Sequence, residues 1–392
     1  MPSKTISLNA APNLAKIYCK PVAVDHLKYD VTIAGAGVAG MTSALLLAQN
    51  GLRVAVIEKQ AINNAKIGEC LQASAIDILT KIGLASTFIT DNHLSLQGYR
   101  VAWDKYTTYE RSLLASTSGT GWIVNRKRFD NMLIKAAKKA GVHFFWQSSI
   151  NNLTELKTQQ TNNTKTWTLQ LYSSQGSLEI QTRFLLDASG RSRAIARQLG
   201  SKKRKADSLV ASFCRLDHQA CKTPPTQQAL IESSENGWWF TVAYSERHAS
   251  LCYFTDADLG TAKSAKQLLE LAQYQPELKN WLKDYTLATC NDFTLTAAYS
   301  SCLDKCVGDN WLAVGDAACS YDPLSSYGIT SALGGAFYAA KALLNAFYGK
   351  PEYLQTYQQL MQQKFLDFLS MRNAEYNKVT QFDSAFWQRR AI

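Results

Sequence analysis

The 392-residue sequence predicts an α/β fold with a second, strand-rich domain and a helical C-terminal segment. Three observations predict it. A Gly-x-Gly-x-x-Gly turn near the start stands between a short apolar run and an apolar helical stretch. Segment 207–300 alternates like a set of strands. A second pattern of strand, Gly-Asp, loop and helix follows between residues 311 and 343. The length allows two or three structural units at ~100–200 residues each. With 46% apolar and 19% charged residues the composition is globular, which excludes disorder, collagen and coiled coil.

Residues 1–28 read as an irregular arm without the charged-then-apolar pattern of a leader. No run approaches the ~18 apolar residues of a membrane span. The first motif fills 29–59. Residues 31–34 form a strand, Gly35, Gly37 and Gly40 follow, and 41–49 make an apolar helix that stops at Gly51. A second strand, 54–57, ends in Glu58, which stands 18 residues after the last glycine. That is the full dinucleotide fingerprint within one Rossmann-like βαβ unit. Gly35 makes the tight turn, and Gly37 lets the backbone approach a pyrophosphate at the helix N-terminus. Gly40 allows close packing of helix and strand, and Glu58 can accept hydrogen bonds from a ribose. The alternative, a glycine-rich turn without a ligand, does not need the complete spacing. An adenine dinucleotide is expected here.

Runs 142–150, 167–172 and 178–186 alternate as strands joined by polar turns at 159–165 and 173–176, a small meander. Within 207–300, runs 238–244 and 249–254 form a hairpin with His248 as a solvated residue near its turn, and 262–284 is a helical excursion. Trp239, Thr241 and Ala243 share one face of the first run, and Trp238, Phe240 and Val242 the other. Gly349-Lys350-Pro351 breaks the helical pattern, which resumes over 353–377. There Leu354, Tyr357, Leu360, Met361, Phe365, Phe368 and Leu369 keep a rhythm of three to four residues. The expected organisation is an arm (1–28), a discontinuous nucleotide-binding domain (29–206 and 301–345), a substrate sheet (207–300) and a helical end (346–392).

The dinucleotide is identified by two later segments. One, 183–191, runs as a strand into Asp187-Ala188-Ser189-Gly190-Arg191. The other carries Gly315-Asp316, then Asp322-Pro323-Leu324-Ser325-Ser326-Tyr327-Gly328-Ile329, then a helix over 330–343. Asp316 can bond a polyol, and a helix N-terminus at about Gly328 points at an electron-rich ring. With these counterparts the chain resembles the FAD-dependent aromatic hydroxylase superfamily over about 29–345, which implies a p-hydroxybenzoate hydroxylase-like fold. The resemblance implies an FAD site built from Gly35, Gly37, Val38, Ala39, Gly40, Glu58, Lys59, Glu69, Arg126, Asp187, Gly315, Asp316, Gly328 and Ile329. The Asp187 motif departs from the family's Asp-Gly by an inserted Ala-Ser.

Three stretches are similar to the halogenase-like branch: Lys66-Ile67-Gly68-Glu69, Asn236-Gly237-Trp238-Trp239-Phe240-Thr241 leading to Thr255-Asp256-Ala257-Asp258, and the Asp322–Ile329 loop. Within it, the chain looks most similar to flavoproteins that mature tryptophylquinone-bearing amine oxidases and dehydrogenases by acting on a tryptophan in a precursor protein. Tryptophan halogenases have Trp-x-Trp-x-Ile-Pro, a glutamate where Ser325 stands, and an essential lysine after the Gly-Glu pair. Here no proline follows Trp238-Trp239, and no lysine occurs between Lys81 and Lys105.

The resemblance implies an FAD-dependent monooxygenase hydroxylating a tryptophan or indole, with O2 as co-substrate. Glu69, Asp322, Pro323, Leu324, Ser325, Trp239 and Phe240 are its catalytic-side candidates, with Tyr253 as a further pocket wall. Bland roles compete: Trp238 and Trp239 as core, Glu69 at the start of a helix over 71–84, Asp322 as a helix cap. No Ser/His/Asp triad or carboxylate pair is evident. Halogenation, a flavin-linked reduction of prenyl chains and a non-catalytic maturation chaperone remain open. The electron donor also stays open between NAD(P)H, a separate reductase and free reduced flavin, because no second Gly-x-Gly-x-x-Gly appears.

Charge and thiols bound the partners. The 42 Lys+Arg against 31 Asp+Glu leave +11, compatible with nucleic acid, an acidic protein or an anionic cofactor. The one dense basic run, 202–205, lacks interleaved aromatics or a DNA-binding fold, so nucleic acid is not expected. A solvated loop is its default reading and a docking patch for an acidic partner the other. Nine scattered cysteines without Cys-x-x-Cys indicate a reducing, cytoplasmic setting. Cys302 and Cys306 have near-metal spacing, but nothing completes a site and no metal is expected.

Overall fold

The computed structural model describes residues 27–61, 69–104, 108–114, 119–156, 166–219, 226–288 and 292–391. Most of the expected arm, the residues Lys66–Gly68, the turn 159–165 and Cys19, Cys221 and Cys290 lie outside the described residues.

Strand Lys28–Ala34, helix Val38–Gln49 and strand Val54–Glu58 form the expected βαβ unit. Both strands are buried as continuous apolar runs, as a parallel sheet covered on both faces requires. The sheet runs in the order Val307–Gly308, Trp311–Ala313, Gly176–Asp187, Lys28–Ala34, Val54–Glu58, His143–Trp146, and its last five strands are parallel. Strand Gly176–Asp187 has twelve residues and serves two structures. Its first half closes the antiparallel meander with Ser149–Leu156 and Thr166–Ser173, and its second half lies in the parallel sheet. The expected run 142–150 is two strands, broken at Gln147, which has a positive φ of 52°.

The second large sheet has the order Tyr285–Leu287, Leu209–His218, His248–Asp256, Gly237–Ala243, Gln228–Ser234, Gly98–Ala102, Tyr109–Ser112, with Thr294–Ala297 also paired to Leu209–His218. Strands Gly98–Ala102 and Tyr109–Ser112 come from outside 207–300, so this sheet is stitched to the nucleotide-binding half by its own hydrogen bonds. Helices Ala265–Ala272 and Pro276–Trp281 cover one face. His248 stands beside the hairpin turn with its side chain 39% exposed, as expected, but it also has a partner. It opens a strand opposite Asp217, and its Nδ1 lies 2.9 Å from the Asp217 carboxylate.

The C-terminal chain ties the two halves together. Helix Glu352–Tyr376 buries Tyr357, Met361, Phe365 and Phe368 at the expected rhythm. The Tyr357 hydroxyl donates to the Ala313 carbonyl of the parallel sheet at 2.9 Å. Two indole N–H groups fix its end to the second sheet, Trp103 donating to the Glu375 carbonyl and Trp238 to the Tyr376 hydroxyl, and beyond the helix Trp387 donates to the Ser234 carbonyl, each at 2.9 Å. Arg390, which is 6% exposed, meets the Asp256 carboxylate, itself 1% exposed, at 2.6 Å. Asp256→Ala is therefore expected to destabilise the protein by ~3–5 kcal/mol in urea denaturation, because it strands a buried guanidinium. A loss below ~1 kcal/mol would show that the C-terminal anchor does not depend on this pair.

Candidate active site

The cofactor cradle is set by close approach of backbone. A Cβ on Gly40 would lie 2.0 Å from the Gly35 carbonyl oxygen and 3.1 Å from the Ala188 Cβ. Gly35 has φ +106°, and a Cβ there would lie 2.4 Å from the Ala188 carbonyl oxygen. Gly37 differs: a Cβ there would meet nothing within 4 Å. It faces open space at the N-terminus of Val38–Gln49, a helix with no side-chain cap and no acid in its first turn. Its first N–H groups are thus free to hold an anion. Glu58 accepts from the Ala36 and Gln60 amides at 2.8 Å and stays at the tip of its strand, where a ribose would lie. These features fit the ADP half of FAD.

The other motif residues converge on the same cleft. Gly315 touches Ala39 so closely that an added Cβ would lie 2.8 Å from the Ala39 Cβ, which joins the first and last motifs. Asp316, its side chain 42% exposed, lies 3.6 Å from Arg191. Its carboxyl pKa is raised by desolvation in the cleft, against the pull of Arg191. Val38 and Ala39 contribute buried packing in the first helical turn, and Lys59 is exposed beyond the strand end. Glu69 does not begin a helix. It lies on strand Glu69–Leu71, opposite Val124 of Gly121–Val124, and the helix starts only at Ala75. That pairing delivers Glu69 to Arg126, with which it forms an ion pair, and Arg126 also holds Asp130 at 3.2 Å. Both carboxylates raise the Arg126 pKa, although burial works the other way.

Asp187 is fully buried, and its carboxylate is occupied by Ser189, Ile195 and Ala196, whose amides lie at 2.8–3.0 Å. It shapes the turn instead of reaching the cofactor space. Ile329 is 4% exposed, so only its backbone is available. Gly328 starts helix Gly328–Phe347, and an added Cβ there would meet nothing within 4 Å.

The loop Asp322–Tyr327 forms one wall of a cleft of about 900 Å³. Leu324, Ser325, Ser326 and Tyr327 face it, together with Gln72, Leu96, Tyr99, Trp103 and Ile231. Gln72 donates to the Ser325 carbonyl at 3.2 Å. Asp322 caps the turn Pro323–Ser325 through the Leu324 amide, and its other oxygen accepts from the Tyr376 hydroxyl at 2.8 Å. Burial pushes the Asp322 carboxyl up to about 6.

The structure settles which face of Gly237–Ala243 looks towards this loop. Phe240 and Trp238 lie on the cleft side, in one cluster with Val101, Trp103 and Leu324. Trp239 lies on the opposite face, stacked on Tyr253 at 4.3 Å under helices Ala265–Ala272 and Pro276–Trp281. The structure therefore does not bring Trp239 and Tyr253 together with the loop. Tyr376, Tyr99 and Trp103 went unrecognised in the sequence. Tyr376 looked like one more apolar-face residue of a long helix, and the other two carry no motif. Arg191 was visible only as the residue following Gly190.

Comparison with known proteins agrees with this cradle. A family model described as FAD binding domain matches residues 28–364. LodB of Marinomonas mediterranea, named as an FAD-dependent oxidoreductase, is 28% identical over 92% of this chain and 96% of its own length. The tryptophan 2-halogenase of Chondromyces crocatus is 26% identical over 91% of this chain and 69% of that protein. Among solved structures, the myxobacterial chondrochloren halogenase CndH superposes with a TM-score of 0.81 at 22% identity, covering 93% of this chain and 86% of that one. QhpG, described as a peptidyl tryptophan dihydroxylase essential for tryptophylquinone cofactor biogenesis, gives 0.72 at 22%, covering 93% and 78%.

Two outcomes test the site. Gly37→Ala is expected to weaken FAD binding at least tenfold in a flavin-fluorescence titration while leaving apoprotein melting unchanged, whereas Gly40→Ala lowers both. Equal behaviour of the two variants would contradict the open space at Gly37. The second concerns Asp322. Its native carboxyl keeps its proton up to about pH 6, while in the unfolded chain it ionises near ~3.9. Stability relative to Asp322→Asn is therefore expected to fall by ~2–3 kcal/mol as pH rises from about 4 to about 6, then level off. Denaturant titrations of both proteins across that range check the sign.

Proposed function

The chain belongs to the FAD-binding-domain family, in the halogenase-like branch of the FAD-dependent aromatic hydroxylase superfamily, and from that membership we propose that this FAD-dependent oxidoreductase hydroxylates a tryptophan held in a precursor protein during tryptophylquinone biogenesis. The observation that carries the reading is the shape of the cleft. From the loop Asp322–Tyr327 its lining continues along helix Glu352–Tyr376 from Lys364 to Glu375, about 17 Å at 1.5 Å per residue. A free indole needs only a fraction of that length; an extended peptide presenting a tryptophan uses all of it. QhpG, a peptidyl tryptophan dihydroxylase of the same fold, supplies the precedent for a peptidyl substrate.

Bound FAD, reduced and then exposed to O2, supplies an electrophilic oxygen for an electron-rich ring. The chain's own residues do the rest. Gly37 and the first turn of Val38–Gln49 bind the pyrophosphate, Arg126 and Glu69 flank the nucleotide, and Asp316 holds the ribityl chain. Leu324, Phe240, Ile231 and Trp103 make an apolar wall that keeps water from the reacting edge. Asp322 and Gln72 hold the loop in place, so the wall stays aligned with the ring beyond it.

Hydroxylation is preferred to halogenation because no lysine stands between Lys81 and Lys105. Of the lysines on the cleft, Lys364 is exposed on the long helix and Lys378 is held by Glu375 at 2.8 Å. The test combines FAD-loaded protein, a flavin reductase with NAD(P)H, O2 and a candidate precursor, with and without chloride or bromide. Mass spectrometry is expected to find one or two added oxygen atoms on a precursor tryptophan in both conditions. A halogenated product, or modification of free indole with an untouched precursor, overturns the proposal.

A further inference from the structure

The proposed reaction leaves a cluster of thiols unused. Cys302 and Cys319 are register partners across the short antiparallel ladder between Ser301–Leu303 and Cys319–Ser320. One step along, the Leu303 amide donates to the Ala318 carbonyl at 2.9 Å, which makes Cys302–Cys319 a non-hydrogen-bonded pair. In such a pair the Cα atoms stand ~4.5 Å apart and the side chains approach most closely. Disulfides span Cα separations of ~4.4–6.8 Å, so this backbone needs no movement to accept one. The Cys319 thiol also faces the Met361 carbonyl, 3.8 Å away.

Both thiols are buried, Cys302 at 7% and Cys319 at 1% exposure, and a buried guanidinium lies beside them. Arg193 is 4% exposed, and its Nη1 has no hydrogen-bond partner. The Cys302 pKa is lowered, chiefly by the facing Cys319 thiol and further by Arg193, with burial opposing. A guanidinium beside the pair would stabilise a thiolate there. The third thiol, Cys306, is pushed up to about 12 by burial. No group of three His, Cys, Asp or Glu residues among the described residues could hold a metal. The pair also adjoins the cofactor cradle: Cys319 follows the turn Gly315–Ala317 by two residues.

We propose that Cys302 and Cys319 form a peroxide-responsive dithiol that closes to a reversible disulfide beside the flavin-holding turn. The oxidant is hydrogen peroxide, the product whenever reduced flavin is reoxidised by O2 without oxygen transfer. The Cys302 thiolate attacks one peroxide oxygen, the O–O bond breaks and hydroxide leaves, which gives a sulfenic acid. The Cys319 sulfur then attacks that sulfur and expels water. In total two thiols and one peroxide give one disulfide and two waters, with two electrons passing from sulfur to oxygen.

The test treats the FAD-loaded full chain with stoichiometric hydrogen peroxide, without reductant, and alkylates the remaining thiols before peptide mass mapping. Two thiols are expected to disappear, with a linked Cys302–Cys319 peptide pair about 2 Da lighter than the two thiol peptides, restored by dithiothreitol. The link is expected to be absent in Cys319→Ser and retained in Cys306→Ser. A Cys302–Cys306 link, sulfinic acid at Cys302 as the main product, or no thiol loss overturns the proposal. The wild-type map decides even if a serine variant fails to fold. Because the peroxide is added, the result is independent of the substrate the enzyme oxidises.

Discussion

A single buried hydrogen-bond chain joins the second sheet, the long helix and the loop that walls the cleft. The Trp238 indole donates to the Tyr376 hydroxyl, which donates to the Asp322 carboxyl. Trp238 belongs to the second sheet, Tyr376 ends the long helix, and Asp322 begins the loop that walls the cleft. All three are at most 2% exposed. Each polar atom is satisfied only by the next, so displacing one element would leave buried groups unpaired at a cost of ~1–3 kcal/mol each. The loop is thereby held in register with the sheet, although Trp238 and Asp322 are separated by more than eighty residues of sequence.

The cofactor side depends on contact distances that only glycine permits. Gly35 and Gly40 close on each other and on Ala188, while Gly315 closes on Ala39. These contacts fuse three chain segments into one cradle and leave the space in front of Gly37 empty. The strand ends, the helix N-terminus and the Asp316 turn then face a common cleft, the arrangement expected at the carboxyl end of a parallel sheet.

How much of this was legible follows from the range of each signal. The βαβ unit, the meander, the Gly-Asp turn and the rhythm of the last helix are local patterns of period two or 3.6, and they could be read directly. The strand that carries Glu69 could not, because it exists only through pairing with Gly121–Val124, some fifty residues away. Strands Gly98–Ala102 and Tyr109–Ser112 join the second sheet through a similar long-range pairing. For Trp239 and Phe240 the alternation was readable but the buried face was not, since helices packed on the sheet decide which side faces the loop. Asp187 shows the opposite limit: its motif was visible, yet both its oxygens are taken by the turn it organises.

The surplus of positive charge is better understood through position than through count. The run 202–205 is not a free loop; Lys203–Lys205 form an edge strand paired with Ser301–Leu303. Lys203 and Lys205 lie over the Tyr299 ring, at 5.0 and 4.2 Å from its centroid, as does Arg191 at 5.1 Å. The aromatic missing from the local sequence is supplied from nearly a hundred residues away. Arg191 in turn reaches Asp316, so the basic strand is continuous with the cofactor cleft. At physiological salt, charges influence one another over ~8 Å, and this cluster lies within a few side chains of the cradle. Its field therefore extends through Arg191 to the Asp316 turn.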